Sequence, residues 1–243
     1  MNLRGSIVVL LLLGALCAHA GAGLECATQD AGDESFVVCR VPTPKLRLAY
    51  AAPDGSRYGT FAALRDSLAH TGRRLVFAMN AGMFHPDHRP VGLLVVDGKP
   101  IAPINRGSGT GNFYLQPNGV FMVDQAGARV LATDDYRGVS PTIATQSGPM
   151  LVHRGLIPDS RAFRAGTNSR HVRNGVCVTK PDEAVFVISD DAVTLLRFAQ
   201  FFRTTLGCSE ALYLDGSISS LYSTQLDRAD HRADLGPMFV VAE

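Results

Sequence analysis

The chain has 243 residues, of which 46% are hydrophobic and 19% charged. That balance excludes a disordered chain and supplies enough apolar side chains for one sizeable core. A formal net charge of +1 gives no global attraction to nucleic acid or to an anionic membrane surface.

The N-terminal segment reads as an export signal. Arg4 supplies the positive charge, Ile7 to Leu16 an apolar stretch, and Ala18-His19-Ala20 a small-residue cleavage site. The apolar stretch is shorter than a bilayer span. A signal peptide over residues 1–20 predicts a mature domain over residues 21–243, periplasmic or secreted, with no stable membrane insertion after cleavage. Four cysteines remain beyond it: Cys26, Cys39, Cys177 and Cys208. An even number in an oxidising compartment predicts disulfides. Three connectivities are open, and pairing nearest neighbours gives Cys26–Cys39 and Cys177–Cys208.

Phe36 to Val41 and Leu46 to Ala51 read as short strands around Pro42-Thr43-Pro44, and Asp54-Gly55 as a turn. Phe61, Leu64 and Leu68 recur at helical spacing, with Thr60 as N-cap and Gly72 beyond the end. Leu75 to Met79 is a continuous apolar run, read as a buried strand, and Leu93 to Val96 before Asp97-Gly98 opens a hairpin. Phe113 to Leu115, Gly119 to Val123 and Met150 to His153 read as further strands, and Val176 to Val178 with Ala184 to Ile188 as a hairpin across Lys180-Pro181-Asp182. Leu195, Phe198, Ala199, Phe202 and Leu206 line one helix face, with Ser189 or Asp190 as cap and Gly207 as stop. Ala211 to Leu214 and Met238 to Ala242 complete the strands. Many hairpin-linked strands with two helices predict a single α+β domain: a largely antiparallel or mixed β-sheet with a few packed helices.

Chemistry is less explicit. The sequence holds no G-x-S-x-G, S-x-x-K or H-E-x-x-H. Gly107 to Gly111 is glycine-rich but no Lys-Ser/Thr follows it, so it is not a nucleotide phosphate loop. His85-Pro86-Asp87-His88 has ligand-type residues without a second cluster at ligand spacing, so neither a metal nor a cofactor is expected. Polar residues recur beside glycines at strand ends: Asn80, Asn112, Asn118, Arg173-Asn174 and Asp215. Each alone reads as a turn. If they converge, they build a pocket of carboxylate, amide and guanidinium.

Six stretches then follow in order: MNAGMF (79–84), PVGLLVVDG (90–98), GNFYLQPNGVF (111–121), ATQSGPMLVHRG (144–155), RNGVCV (173–178) and ALYLDGSISSLY (211–222). On these the chain resembles the phosphodiester glycosidase family, in particular its bacterial periplasmic branch. The resemblance implies a hydrolase that cleaves between a sugar's anomeric carbon and a phosphodiester oxygen, in a glycan or envelope polymer. A sugar phosphodiester or phosphoglycan is then the partner. It implies catalytic roles for Asp215, Arg173 and Asn80: Asp215 at the anomeric carbon, Arg173 clamping the phosphate, Asn80 on sugar or phosphate oxygens. Gly82, Gly148, Gly175, Gly216 and Ser219 fall on the family's motif positions, and the strand-end amides Asn112, Asn118 and Asn174 join them as substrate-binding residues. The chain departs from the family after the aspartate, where Ser217 and Ile218 replace glycines. On the residues alone, a non-catalytic carbohydrate- or phosphoglycan-binding protein and a structural envelope protein stay open.

Overall fold

The computed structural model describes residues 23–231 and 233–243; the signal peptide expected over residues 1–20 lies outside the described residues. The first half of the chain forms β1 (Glu25–Ala31), β2 (Glu34–Pro42), β3 (Arg47–Ala49), α1 (Phe61–Ala69), β4 (Leu75–Asn80), β5 (Leu94–Val96), β6 (Lys99–Ala102), β7 (Gly119–Asp124) and β8 (Gly127–Ala132). The second half forms β9 (Ile143–Ser147), β10 (Met150–Val152), β11 (Asn174–Lys180), β12 (Glu183–Ser189), α2 (Leu195–Gln200), β13 (Ala211–Asp215), β14 (Leu221–Ser223), β15 (Arg228–Ala229) and β16 (Met238–Ala242).

These strands make three sheets, ordered β1-β2-β12-β11-β13-β10, β15-β14-β4-β16-β3 and β6-β5-β9-β7-β8. The strand pairs in them are antiparallel. The fold is therefore α+β, one domain of antiparallel sheets with two short helices.

All three sheets meet at one aromatic cluster. Phe186 of β12 lies 4.7 Å from Phe239 of β16 between ring centroids, and Phe121 of β7 lies 5.2 Å from Phe239, edge-on. Ring pairs at such spacing add dispersion and quadrupole terms to the area they bury. The outer face of the first sheet buries Phe36, Val185, Val187 and Tyr213 against Phe198, Phe201 and Phe202 of the α2 segment. Helix α1 packs Phe61 and Leu64 onto Ala78 and Met238. Strand β13 shows the resulting two-faced burial: Leu212 and Leu214 enter the central core, Ala211 and Tyr213 the outer one.

Thr60 caps α1 as expected, its Oγ1 accepting from Ala63 N at 3.1 Å. The cap of α2 differs from expectation. Ser189 ends β12 and its Oγ accepts from Arg173 N instead, while Thr194 accepts from Arg197 N. Beyond Gln200 the helix widens into one π-helical turn, Phe201–Thr205, which buries Phe201 and Phe202 together. Phe113 to Leu115 is not a strand but lies at a 3-10 turn, Asn112–Tyr114. Gly111 enters it at φ +90°, and only Phe113 is fully buried there.

Strands β1 and β9 are among those that escaped the sequence reading. Only Cys26 of β1 is buried, so no apolar alternation marks it. Its register with β2 places Cys26 opposite Cys39, to which it is disulfide-bonded. Cys177 and Cys208 form the second disulfide. Strand β9 is buried throughout yet reads Ile-Ala-Thr-Gln-Ser. Among the described residues no helix is long and apolar enough to cross a membrane.

Candidate active site

Two buried asparagines join the sheets beneath the site. Asn80 ends β4 and Asn174 begins β11. Asn174 Nδ2 donates to Asn80 O and Oδ1, both at 3.0 Å, and Asn80 Nδ2 donates back to Asn174 Oδ1 at 3.3 Å. Their remaining capacity fixes the segment after β13. Asn80 Oδ1 accepts from Ser220 N, and Asn174 Oδ1 from Asp215 N. Ser219 Oγ donates to Asp215 O at 2.8 Å. The third sheet joins through Ser147 Oγ, which donates to Leu214 O at 2.8 Å. A buried amide pair of this kind is stable because nearly every donor and acceptor finds a partner.

The pairing of β13 with β11 slips at this point. Asp215 faces Asn174 and Tyr213 faces Gly175, so Leu214 has no opposite residue on β11. A bulge re-aims the chain at a strand end, and here it immediately precedes Asp215. The carboxylate then sits in a nest of backbone N–H groups: Oδ1 accepts from Gly216 N and Ser217 N, each at 2.6 Å, and from Ile218 N at 3.3 Å. Oδ2 accepts no hydrogen bond among the described residues. Burial holds the Asp215 carboxyl above the usual carboxylate range, opposed by those three N–H groups and by the charge of His171.

Arg173 is 1% exposed. Its Nε donates to Val193 O, Nη1 to the Tyr213 hydroxyl and Nη2 to Ser169 O, each at 2.8 Å. No carboxylate lies within ion-pair reach among the described residues. A guanidinium carries five N–H donors, so this buried cation keeps donors and charge in reserve. Tyr213 is fully buried, and that burial pushes its phenol far above the ordinary value. It stays protonated, its oxygen accepting from Arg173 Nη1.

Two cavities flank Asn112. One, of about 510 Å³, is lined by Asp215, Ser217, Ile218, Phe84, His85 and Tyr114 among others. The other, of about 340 Å³, is lined by Arg173, Arg161, Thr167, Ser169, Leu115 and Leu195 among others. Gly111 and Asn112 line both. Among the described residues no three His, Cys, Asp or Glu side chains converge to hold a metal.

A model of the phosphodiester glycosidase family matches residues 73–241. The chain belongs to this family. Uncharacterized protein YigE of Escherichia coli K12 is 31% identical over 225 residues, covering 91% of this chain and 86% of its own. Among solved structures, the zebrafish N-acetylglucosamine-1-phosphodiester alpha-N-acetylglucosaminidase catalytic domain, auto-inhibited by its pro-peptide, matches with a TM-score of 0.64 at 15% identity. That match covers 93% of this chain and 85% of the other. A putative exported protein of Burkholderia pseudomallei K96243 matches at 0.54 and 14%, covering 86% and 74%. At these identities the structural likeness is one of fold.

Of the residues expected in the site, Asp215, Arg173 and Asn112 reach a cavity wall. Asn80, placed by the sequence on substrate oxygens, instead lies beneath the wall at 1% exposure with its amide committed to protein partners. Asn174 and Ser219 share that layer. Asn118 is buried, and its Nδ2 holds the Asn112–Tyr114 turn by donating to Phe113 O. The glycines at family motif positions permit close approach. A Cβ at Gly148 would come within 2.7 Å of Asn118 Cβ and Phe113 O, and one at Gly175 within 2.9 Å of Leu212 O. At Gly82 it would collide with Thr145 Oγ1 and the carbonyl of Gln146. Tyr213 is the residue the sequence reading missed. Its two-residue spacing from Asp215 was the available signal, and the burial of its hydroxyl beside Arg173 was not readable from it.

Gly216 carries the sharpest steric constraint, because a Cβ there would collide with the Tyr213 hydroxyl. Gly216→Ala is expected to destabilise the fold by about 1–3 kcal/mol. Adding Tyr213→Phe removes the colliding oxygen and leaves the ring Cζ at 3.2 Å. The double variant is therefore expected to lose at least about 1 kcal/mol less than the sum of the single variants in urea melts. Additive losses would show that the hydroxyl is not the obstacle.

Proposed function

We propose that this protein hydrolyses glycosyl-1-phosphodiesters in an exported glycan or envelope polymer. One observation carries the reading: a carboxylate with one oxygen unpaired and a buried guanidinium with no carboxylate partner stand on adjoining cavity walls that share Gly111 and Asn112. A glycosyl phosphodiester has the complementary pair of features, an electrophilic anomeric carbon and an anionic phosphate. The two disulfides suit the periplasmic or secreted location that the N-terminal segment suggests.

The anomeric C–O bond breaks with its electron pair leaving on the phosphate oxygen. Water adds its oxygen to the anomeric carbon and releases a proton. The products are a free sugar and a phosphate monoester. Asp215 supplies negative charge beside the oxocarbenium-like carbon. Arg173 holds the phosphate with charge-assisted N–H bonds that strengthen as charge collects on the leaving group. A phosphate monoester is a good leaving group, which accords with a cavity whose wall holds Asp215 as its one carboxylate among the described residues. Asn80, Asn174 and Ser219 hold Asp215 in place. Ser217 and Ile218 give this cavity side chains where the family carries glycines, so they shape its choice of sugar.

Hydrolysis in ¹⁸O-water distinguishes this reaction from a phosphodiesterase. Attack at the anomeric carbon places the label in the sugar and leaves the monoester unlabelled by ³¹P NMR. Label on phosphorus would mean P–O cleavage and would overturn the assignment.

A further inference from the structure

The two cavities differ in charge. The larger has Asp215 in its wall; the smaller has Arg161 and Arg173 and no acidic residue. The wall of the smaller cavity comes largely from residues 158–173, which hold four arginines against a single acid, Asp159. Arg170 is paired with Glu34, whereas Arg161 makes no ion pair among the described residues. Arg161 lies in the 3-10 turn Arg161–Phe163, whose start is fixed by Ser160 Oγ accepting from Ala162 N and whose Phe163 is buried. Its backbone is thus anchored while its side chain is exposed on the cavity rim.

We infer that the smaller cavity is an aglycone subsite for a group carrying its own anion beyond the scissile phosphate. This rests on the hydrolase reading above and names its substrate class: a glycosyl phosphodiester whose aglycone bears a second phosphate or a carboxylate. Arg173, buried at the junction, takes the scissile phosphate. Arg161, on the rim of the same cavity, takes the second anion. A neutral aglycone would leave Arg161 facing only solvent. An acidic one gains a charge-assisted contact in a partly enclosed space, where screening is weaker than on the open surface. Leu115 and Leu195 on the wall favour a short apolar spacer between the two anions.

Product-side ligands test this without knowledge of the sugar. The probes are propyl phosphate, 4-phosphooxybutanoate and 1,3-propanediol bisphosphate, titrated calorimetrically into the whole protein at 0.15 M salt. The two probes with an anion at each end should bind about fivefold tighter than propyl phosphate, and their ranking tells carboxylate from phosphate. Arg161→Gln should bring the three affinities together while leaving that for propyl phosphate unchanged. A rim glutamine is not expected to disturb folding, and an unchanged melting temperature checks that. Equal affinities in the wild type, or a preference that survives Arg161→Gln, overturns the subsite. Loss of the preference in Arg161→Gln combined with no turnover in the ¹⁸O experiment would sink the hydrolase reading and leave the anion site.

Discussion

Asp215→Asn is expected to lower kcat for a glycosyl-1-phosphodiester by about 10³-fold while leaving the melting temperature at neutral pH unchanged or higher. The asparagine Oδ1 accepts the same three N–H bonds, from Gly216, Ser217 and Ile218, so the loop keeps its shape. What is lost is the negative charge at the free oxygen. The stability effect has a definite sign. Burial raises the folded-state pKa of Asp215 above its ordinary value of 3.8, so between those two values the folded protein holds the proton more tightly than the unfolded chain. Stability then falls as pH rises through that window and stays lower above it. The variant has no such group. Its melting temperature should match the wild type below the ordinary carboxylate value and gain on it as pH rises. Activity of the wild type should fall as pH drops through the raised value, because the ionised form does the work. Turnover retained in Asp215→Asn would remove the carboxylate from the mechanism.

Arg173→Lys is expected to reduce kcat/KM by about 100-fold and to destabilise the fold by roughly 2 kcal/mol. The substitution keeps a positive charge and discards the planar fork. An ammonium cannot serve Val193 O, Ser169 O and the Tyr213 hydroxyl in their present directions and still present donors to a phosphate. Urea melts and steady-state kinetics on the same preparation separate the two losses. Activity within threefold of wild type would show that charge alone suffices and that the fork is dispensable.

Both variants act on residues that the sequence singled out, yet the sequence named their neighbours less well. In the sequence Asn80, Asn118 and Asn174 read as polar residues at strand ends near glycines, as Asn112 and Asp215 do, and nothing local tells them apart. Three are spent on protein partners beneath the cavities, while Asn112 and Asp215 reach a wall. Whether an amide is free depends on what lies across from it, and for Asn80 that is Asn174, 94 residues away. Polar β1 and β9 were hidden for a related reason. Their burial or pairing comes from partner strands, so they lack the alternation that betrays an amphipathic strand.

The sequence by itself determined what short-range physics controls. Runs such as Leu75 to Met79 and Ala184 to Ile188 had to be buried, and their short length reads as strand, which is what they form. Thr60 caps the helix that its position pointed to, and of the three open cysteine connectivities the nearest-neighbour pairing is the one formed. Only the tertiary structure decided which polar strand ends became a site. Three sheets had to close on the Phe186–Phe239 cluster before Asn80 could meet Asn174. That buried pair then fixes Asp215 beside Tyr213 and Arg173. The placement of that carboxylate is a long-range property, set by residues far apart in the chain whose hydrogen bonds can be completed only in one another's company.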